Sequence, residues 1–236
     1  RSNDGGRTWG PAAEVAAFLA SGEGCIPSDP VLLAPKLGPT AGDILVVHHC
    51  REGGGLSLAR SGDDGVTWGE PRPLDPMPTD LVPANVIDRL RPGPGHGIQL
   101  TFGPSSGRLV VPADASVDGM RTLVLVVSDD GGRSWRIGAN TSVDQAVGPI
   151  PDETAITELG DGTIVLSSRN GSADAPGRIF ARSTDGADSF AVWPDGDLLQ
   201  VDEDITTPVV QGSLLTTPDG ERAVYAIWLL LTTASG

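Results

Sequence analysis

The sequence predicts an all-β chain assembled from repeated units of four short strands, and three observations carry that prediction. Glycine (32) and proline (20) are so frequent among the 236 residues that turns must be common and long helices have little room. Helical periodicity is nearly absent, while short runs of alternating or continuous apolar residues are many. An eight-residue box recurs four times along the chain.

The boxes set the frame. Residues 2–9 (Ser-Asn-Asp-Gly-Gly-Arg-Thr-Trp) and 61–68 (Ser-Gly-Asp-Asp-Gly-Val-Thr-Trp) both fit S-x-D-x-G-x-T-W. Residues 128–135 differ only by Ser134 for Thr, and residues 183–190 are degenerate, with Ala187 in the glycine place and Phe190 in the tryptophan place. The pattern has a mechanism. An aspartate in a tight turn accepts bonds from backbone N–H groups ahead of it, glycine supplies a positive φ, and the aromatic packs the turn onto a sheet. Each box is therefore a self-contained turn, and Trp9, Trp68 and Trp135 read as structural anchors and not as platforms for a sugar.

Strand-like runs surround the boxes at 44–49, 56–60, 98–101, 108–113, 122–127, 163–168, 179–182 and 223–231, with one short helical turn expected at 12–19. The boxes are spaced by 59, 67 and 55 residues, so one four-stranded unit fits each interval. Such a repeat reads as a β-propeller blade, somewhat lengthened by loops, and the chain then holds about four blades. No interdomain linker interrupts residues 1–236, which read as one domain with ample length for a core. The boxes should all lie on one rim.

Composition excludes several function classes. With 16 basic and 31 acidic residues the net charge is −15, which repels nucleic-acid phosphate and anionic membrane alike. No apolar run approaches a membrane span, and the first residues have no signal-peptide character. Cys25 and Cys50 lack redox or zinc spacing; they are two ordinary small side chains or one disulfide. His48 and His49 are adjacent on a strand and point to opposite faces, so they cannot share a metal. His96, in a glycine- and proline-rich loop, reads as a hydrogen-bond partner that orders the loop. The acidic run 202–204 lacks calcium-loop spacing and reads as solvated. No metal or cofactor is expected.

A second class of motif narrows the reading. Gly93-Pro94-Gly95-His96-Gly97-Ile98-Gln99-Leu100, followed by Gly107-Arg108-Leu109-Val110-Val111-Pro112-Ala113, resembles a segment of the exo-sialidases nearly letter for letter. Asp152-Glu153-Thr154-Ala155-Ile156-Thr157-Glu158-Leu159-Gly160-Asp161-Gly162 resembles the family's N-E-x-x-x-x-E-L-x-D-G, with Asp152 in place of asparagine, and runs on to Ser168-Arg169. Gln211-Gly212-Ser213 resembles a later signature of the same family. Together with the boxes, which are similar to its Asp boxes, these segments resemble the sialidase (neuraminidase) superfamily over essentially the whole chain.

The resemblance implies a six-bladed propeller and a retaining exo-α-sialidase that removes terminal α-linked sialic acids from sialylated glycoconjugates. A sialoside carries a carboxylate on its anomeric carbon, so a carboxylate nucleophile would approach against like charge; a neutral tyrosine helped by a glutamate avoids this. Arginines hold the substrate carboxylate bidentately. By resemblance, Glu153 is the base that activates the tyrosine and Arg169 is one arm of an arginine triad. A hairpin through Gly160-Asp161-Gly162 would return Arg169 beside Glu153, near the propeller axis and opposite the box rim. Asp29, in Ser28-Asp29-Pro30, and Asp114, after the strand 109–113, are the further residues expected to line the pocket.

The sequence also departs from the family. Its first triad arginine and acid/base aspartate would precede the first box, and its third arginine and tyrosine nucleophile would follow the last residues given. Tyr225, the one tyrosine, lies mid-strand in an apolar run and reads as core. The chain is thus expected to be an internal segment, inactive by itself, of a secreted or extracytoplasmic enzyme. The competing reading is a noncatalytic propeller that binds glycans or proteins, which has no reason to keep the 153–169 segment and the 93–100 loop together.

Overall fold

The computed structural model describes residues 2–11, 27–50, 55–74, 87–117, 120–141, 149–172, 177–205, 210–217 and 219–227. Among them there are strands, turns and bends but no helix. The helical turn expected at 12–19, Cys25, and the end of the run 223–231 lie outside the described residues, as do the side chains of Cys50 and Tyr225.

Four sheets follow one another along the chain. The first joins β1 (Pro27–Leu33), β2 (Ile44–Cys50), β3 (Leu56–Ser61) and β4 (Arg72–Pro73) in the order β4-β3-β2-β1, and β6 (Gly95–His96) adds to β1 in parallel. The second has the order β10-β9-β8-β5, from β5 (Ile87–Pro92), β8 (Leu109–Val117), β9 (Met120–Ser128) and β10 (Arg136–Asn140), with β7 (Ile98–Gln99) also on β8. The third is the meander β11 (Pro151–Glu158), β12 (Ile164–Asn170), β13 (Arg178–Ser183) and β14 (Gln200–Asp202). The last described pair is β15 (Gly212–Thr216) with β16 (Ala223–Ile227), and β15 packs on β11, where Thr157 Oγ1 and Thr216 Oγ1 lie 2.6 Å apart.

Strand alternation explains the stacking. In the run Leu109-Val110-Val111, residues 109 and 111 join a core with Val31, Leu45 and Val47 of the first sheet. Val110 faces the other way, into a core with Ile156, Ile164, Leu166 and Ile179 of the third. On β9, Val124 and Val126 serve the first core while Leu123, Leu125 and Val127 serve the second. The second sheet is therefore apolar on both faces, which is why its strands read as continuous apolar runs. His48 and His49 are both buried, at 1% and 6% exposure, and burial holds the His48 imidazole below its ordinary pKa.

Every box forms the same turn. The serine hydroxyl donates to the aspartate in each: Ser2 to Asp4 at 2.8 Å, Ser61 to Asp63 at 2.8 Å, Ser128 to Asp130 at 2.9 Å and Ser183 to Asp185 at 2.9 Å. The Asp oxygens in turn accept from the N–H and hydroxyl of Thr8, Thr67, Ser134 and Ser189. Two successive residues after each aspartate have positive φ, a demand met by Gly131 and Gly132 but carried by Asp64 and Ala187 elsewhere. The boxes at 61–68, 128–135 and 183–190 connect the third and fourth strands of their sheets. Trp135 and Phe190 are buried as expected, but Trp9 is 73% exposed, because among the described residues no sheet lies over its turn.

The strands the sequence did not announce have a common cause. β1 begins Pro27-Ser28-Asp29-Pro30, which reads as a turn, and β5, β10, β14 and β15 are short or interrupted by charge. Three innermost strands also skip a residue: β1 between Ser28 and Val31, β5 between Ile87 and Arg89, β11 between Asp152 and Thr154. Such bulges hide the two-residue alternation from a sequence reading.

Candidate active site

The site is built at the strand ends opposite the boxes. In the third sheet Asp152 pairs with Arg169 and Arg169 with Arg178, whereas Ser183, which opens the fourth box, pairs with Ile164 at the far end. The second sheet repeats this layout: Arg91 pairs with Asp114 at one end, and Ser128 with Leu109 at the other.

The expected hairpin forms. Gly162 turns with a φ of 85°, β11 and β12 pair antiparallel, and Arg169 returns beside Glu153, with Nη1 donating to Oε2 at 3.0 Å. Glu153 is the residue skipped by the ladder, at a φ of 40°. On a regular strand, adjacent residues face opposite sides. The bulge lets both Asp152 and Glu153 reach one guanidinium, since Arg169 Nη2 also donates to Asp152 Oδ2 at 2.5 Å.

Asp152 is the centre of the cluster. Fully buried, it takes ion pairs from three strands of two sheets: Arg91 on β5, Arg121 on β9 and Arg169 on β12. Arg91 also donates to Asp114 Oδ1 at 3.0 and 3.1 Å. Three guanidinia thus meet three carboxylates. The Asp152 and Asp114 side chains are 1% and 3% exposed, whereas Glu153, Arg169 and Arg121 keep 21%, 23% and 30%. The buried acids hold orientation, and the more exposed groups present a carboxylate and guanidinium donors to solvent.

Of the four residues expected from sequence, Glu153, Arg169 and Asp114 belong to this cluster, Asp114 through Arg91. Asp29 does not join it by any described contact. It too is skipped by its ladder, at a φ of 53°, and its carboxylate accepts from Ser28 Oγ at 3.0 Å. It lies toward the same end, because Val31 pairs with Gly95 and Gly93 abuts Thr154. Sequence reasoning missed Arg91 and Arg121, and noted Asp152 only as a replacement for asparagine. The position of Arg91, next to the glycine-rich loop, was the one available signal.

The 93–100 loop ties the sheets together. A Cβ at Gly93 would lie 2.3 Å from the Thr154 carbonyl oxygen, so only glycine allows this approach. His96 Nε2 lies 3.0 Å from the Ile156 carbonyl, the ordering role expected of it, and Gln211 donates to the Pro94 carbonyl. Gln99 bonds the backbone at Lys36, Leu37 and Gly107. Behind the site, fully buried Arg178 donates to Ser167 Oγ at 3.0 Å and the Val210 carbonyl at 2.8 Å. Among the described residues no group of three or more His, Cys, Asp or Glu side chains is placed to hold a metal, and no helix is long and apolar enough to cross a membrane.

Comparison with known proteins identifies the family and the fold. The model of the BNR repeat-like domain matches residues 1–232. A sialidase of Micromonospora viridifaciens is 32% identical over 233 residues, covering 91% of this chain and 33% of the relative. A sialidase of Vibrio cholerae is 29% identical over 146 residues, 53% of this chain and 18% of the relative. The chain therefore spans about a third or less of these relatives' length. Among solved structures, the Hadza microbial sialidase Hz136 superposes with a TM-score of 0.70 at 24% identity over 92% of this chain and 42% of that one. A leech intramolecular trans-sialidase superposes at 0.53 and 23%, over 70% and 22%. The sheets are thus arranged as in the sialidase β-propellers, and the chain belongs to the BNR repeat-like family within the sialidase superfamily.

Proposed function

We propose that the cluster is part of the active site of a retaining exo-α-sialidase acting on terminal α-linked sialic acids of glycoconjugates. The observation that carries this reading is the Glu153–Arg169 contact at 3.0 Å, with Glu153 lifted out of the strand ladder at the end of the sheet opposite the boxes. In this reading the substrate carboxylate exchanges with Glu153 on Arg169, which frees Glu153 to take the proton of a tyrosine hydroxyl. The tyrosine oxygen then bonds the anomeric carbon as the aglycone oxygen leaves with a proton from the family's acid/base aspartate; water, deprotonated by that aspartate, next attacks the anomeric carbon, and the bond to tyrosine breaks to release sialic acid as the proton on Glu153 returns to the tyrosine oxygen. Asp114 and Asp29 line the sugar pocket. The described sheets are about four blades of a six-bladed, secreted propeller domain to which all of residues 1–236 belong.

The test uses the natural gene product containing residues 1–236 and a fluorogenic α-sialoside. Glu153→Gln should lower kcat by about 10²- to 10⁴-fold with little change in KM. Arg169→Met should raise KM and lower kcat/KM. Full turnover by both variants would overturn the reading.

A further inference from the structure

A cavity lies on the opposite rim, between the box turns 61–68 and 128–135. Its volume is about 850 Å³, within the range that small ligands occupy. Trp68 and Trp135 form part of its wall, and three arginines (Arg60, which is paired with Asp43, Arg72 and Arg133) line it against one carboxylate, Glu70. Neither Arg72 nor Arg133 makes an ion pair with any described residue, although the chain as a whole carries a net charge of −15. Thr40 also lines the cavity; it is 4% exposed, and its Oγ1 is buried without a hydrogen-bond partner. An unpaired buried hydroxyl is costly unless a ligand oxygen or water meets it.

We propose that this cavity is a second carbohydrate site, taking an oligosaccharide whose pyranose ring carries a carboxylate. Three features select that chemistry together. Trp68, expected from the sequence to serve only as a turn anchor, is half-buried at the cavity wall, and its indole matches the apolar face of a pyranose; the Thr40 hydroxyl meets a ring hydroxyl, and the two free guanidinia meet the carboxylate. A neutral sugar would leave the arginines unused, and a purely anionic ligand would leave the aromatic wall unused. The site is independent of the Glu153 cluster, which lies at the other end of the strands.

Calorimetric titration of the intact chain with digalacturonate and with 3′-sialyllactose, against lactose as the neutral control, tests the proposal. At least one acidic probe should bind while lactose does not, and the probe that binds identifies a uronide or a sialoside as the source of the carboxylate. The double variant Arg72→Ala/Arg133→Ala, both at exposed positions, should weaken that binding about tenfold or more. Thr40→Val should weaken it as well, and Glu153→Gln should leave this arginine-dependent binding unchanged. Absence of binding by both acidic probes, equal binding of lactose, or affinity unaffected by the double arginine variant would overturn the proposal.

Discussion

Replacing Asp152 with asparagine changes almost no volume, yet it removes a carboxylate that three guanidinia share. Within the cluster Arg91, Arg121 and Arg169 would then share two carboxylates, Asp114 and Glu153, in place of three, so that positive charge is in surplus there beside a fully buried position. Breaking a buried ion pair by removing one partner costs about 3–5 kcal/mol. Arg121 and Arg169 keep 30% and 23% exposure, so water screens part of the surplus, and the lower end, about 3 kcal/mol, applies. At about 2–4 °C per kcal/mol for a chain of this size, the melting temperature should fall by about 6–12 °C. Thermal unfolding followed by circular dichroism at fixed pH and scan rate reads this directly. Arg121→Met placed on top of Asp152→Asn should cost less than the two changes taken separately, because it removes one of the charges left over. A fall of less than about 2 °C for Asp152→Asn would refute the view that Asp152 organises the cluster.

Three further outcomes follow from the packing and the turns. Gly93→Ala drives a Cβ to within 2.3 Å of the Thr154 carbonyl, next to Glu153, and, on the function proposed above, should cut sialoside turnover by at least about tenfold while the far-rim turns keep their hydrogen bonds, as amide exchange would report. Arg108→Ala severs bonds to Asp129 at 2.6 Å and to Asp188 at 2.9 Å, which join the boxes of two sheets, and should lower the melting temperature by several degrees, read by the same thermal scan. The Asp63 carboxyl is pulled down to about 2 by the Thr67 hydroxyl and N–H. Because its folded pKa lies below the ordinary 3.8, the box contributes fully above about pH 4 and loses that contribution as pH falls through about 2; carboxyl carbon shifts for Asp63 that titrate near 4 would contradict this.

The box turns and the β11–β12 hairpin were legible because their information is local. A serine, an aspartate and a glycine within five residues define the turn, and Gly160-Asp161-Gly162 fixes where Arg169 returns. Arg91 and Arg121 were not legible. Their importance comes from β5 and β9 meeting β11 across a sheet boundary, and nothing in the local sequence at either position reports that neighbour. The same limit applies to β1, whose two prolines read as a turn although the strand is an inner member of its sheet. The 93–100 loop was recognised as a motif, but its work is mechanical: its glycine, histidine and glutamine hold three sheets in register beside the Glu153–Arg169 contact.

The skipped residues of the inner strands have a consequence for how such a molecule can change. Delete Glu153 and the ladder on either side already closes, since Asp152 faces Arg169 and Thr154 faces Ser168. The same holds on β5, where Ile87 faces Val117 and Arg89 faces Ser116 with Asp88 left between them. The hydrogen-bonded scaffold makes no demand on these positions, and an acidic residue occupies both. Residues held this way are passengers of the sheet. Their identity is free to drift while the strands beneath continue to pair as before.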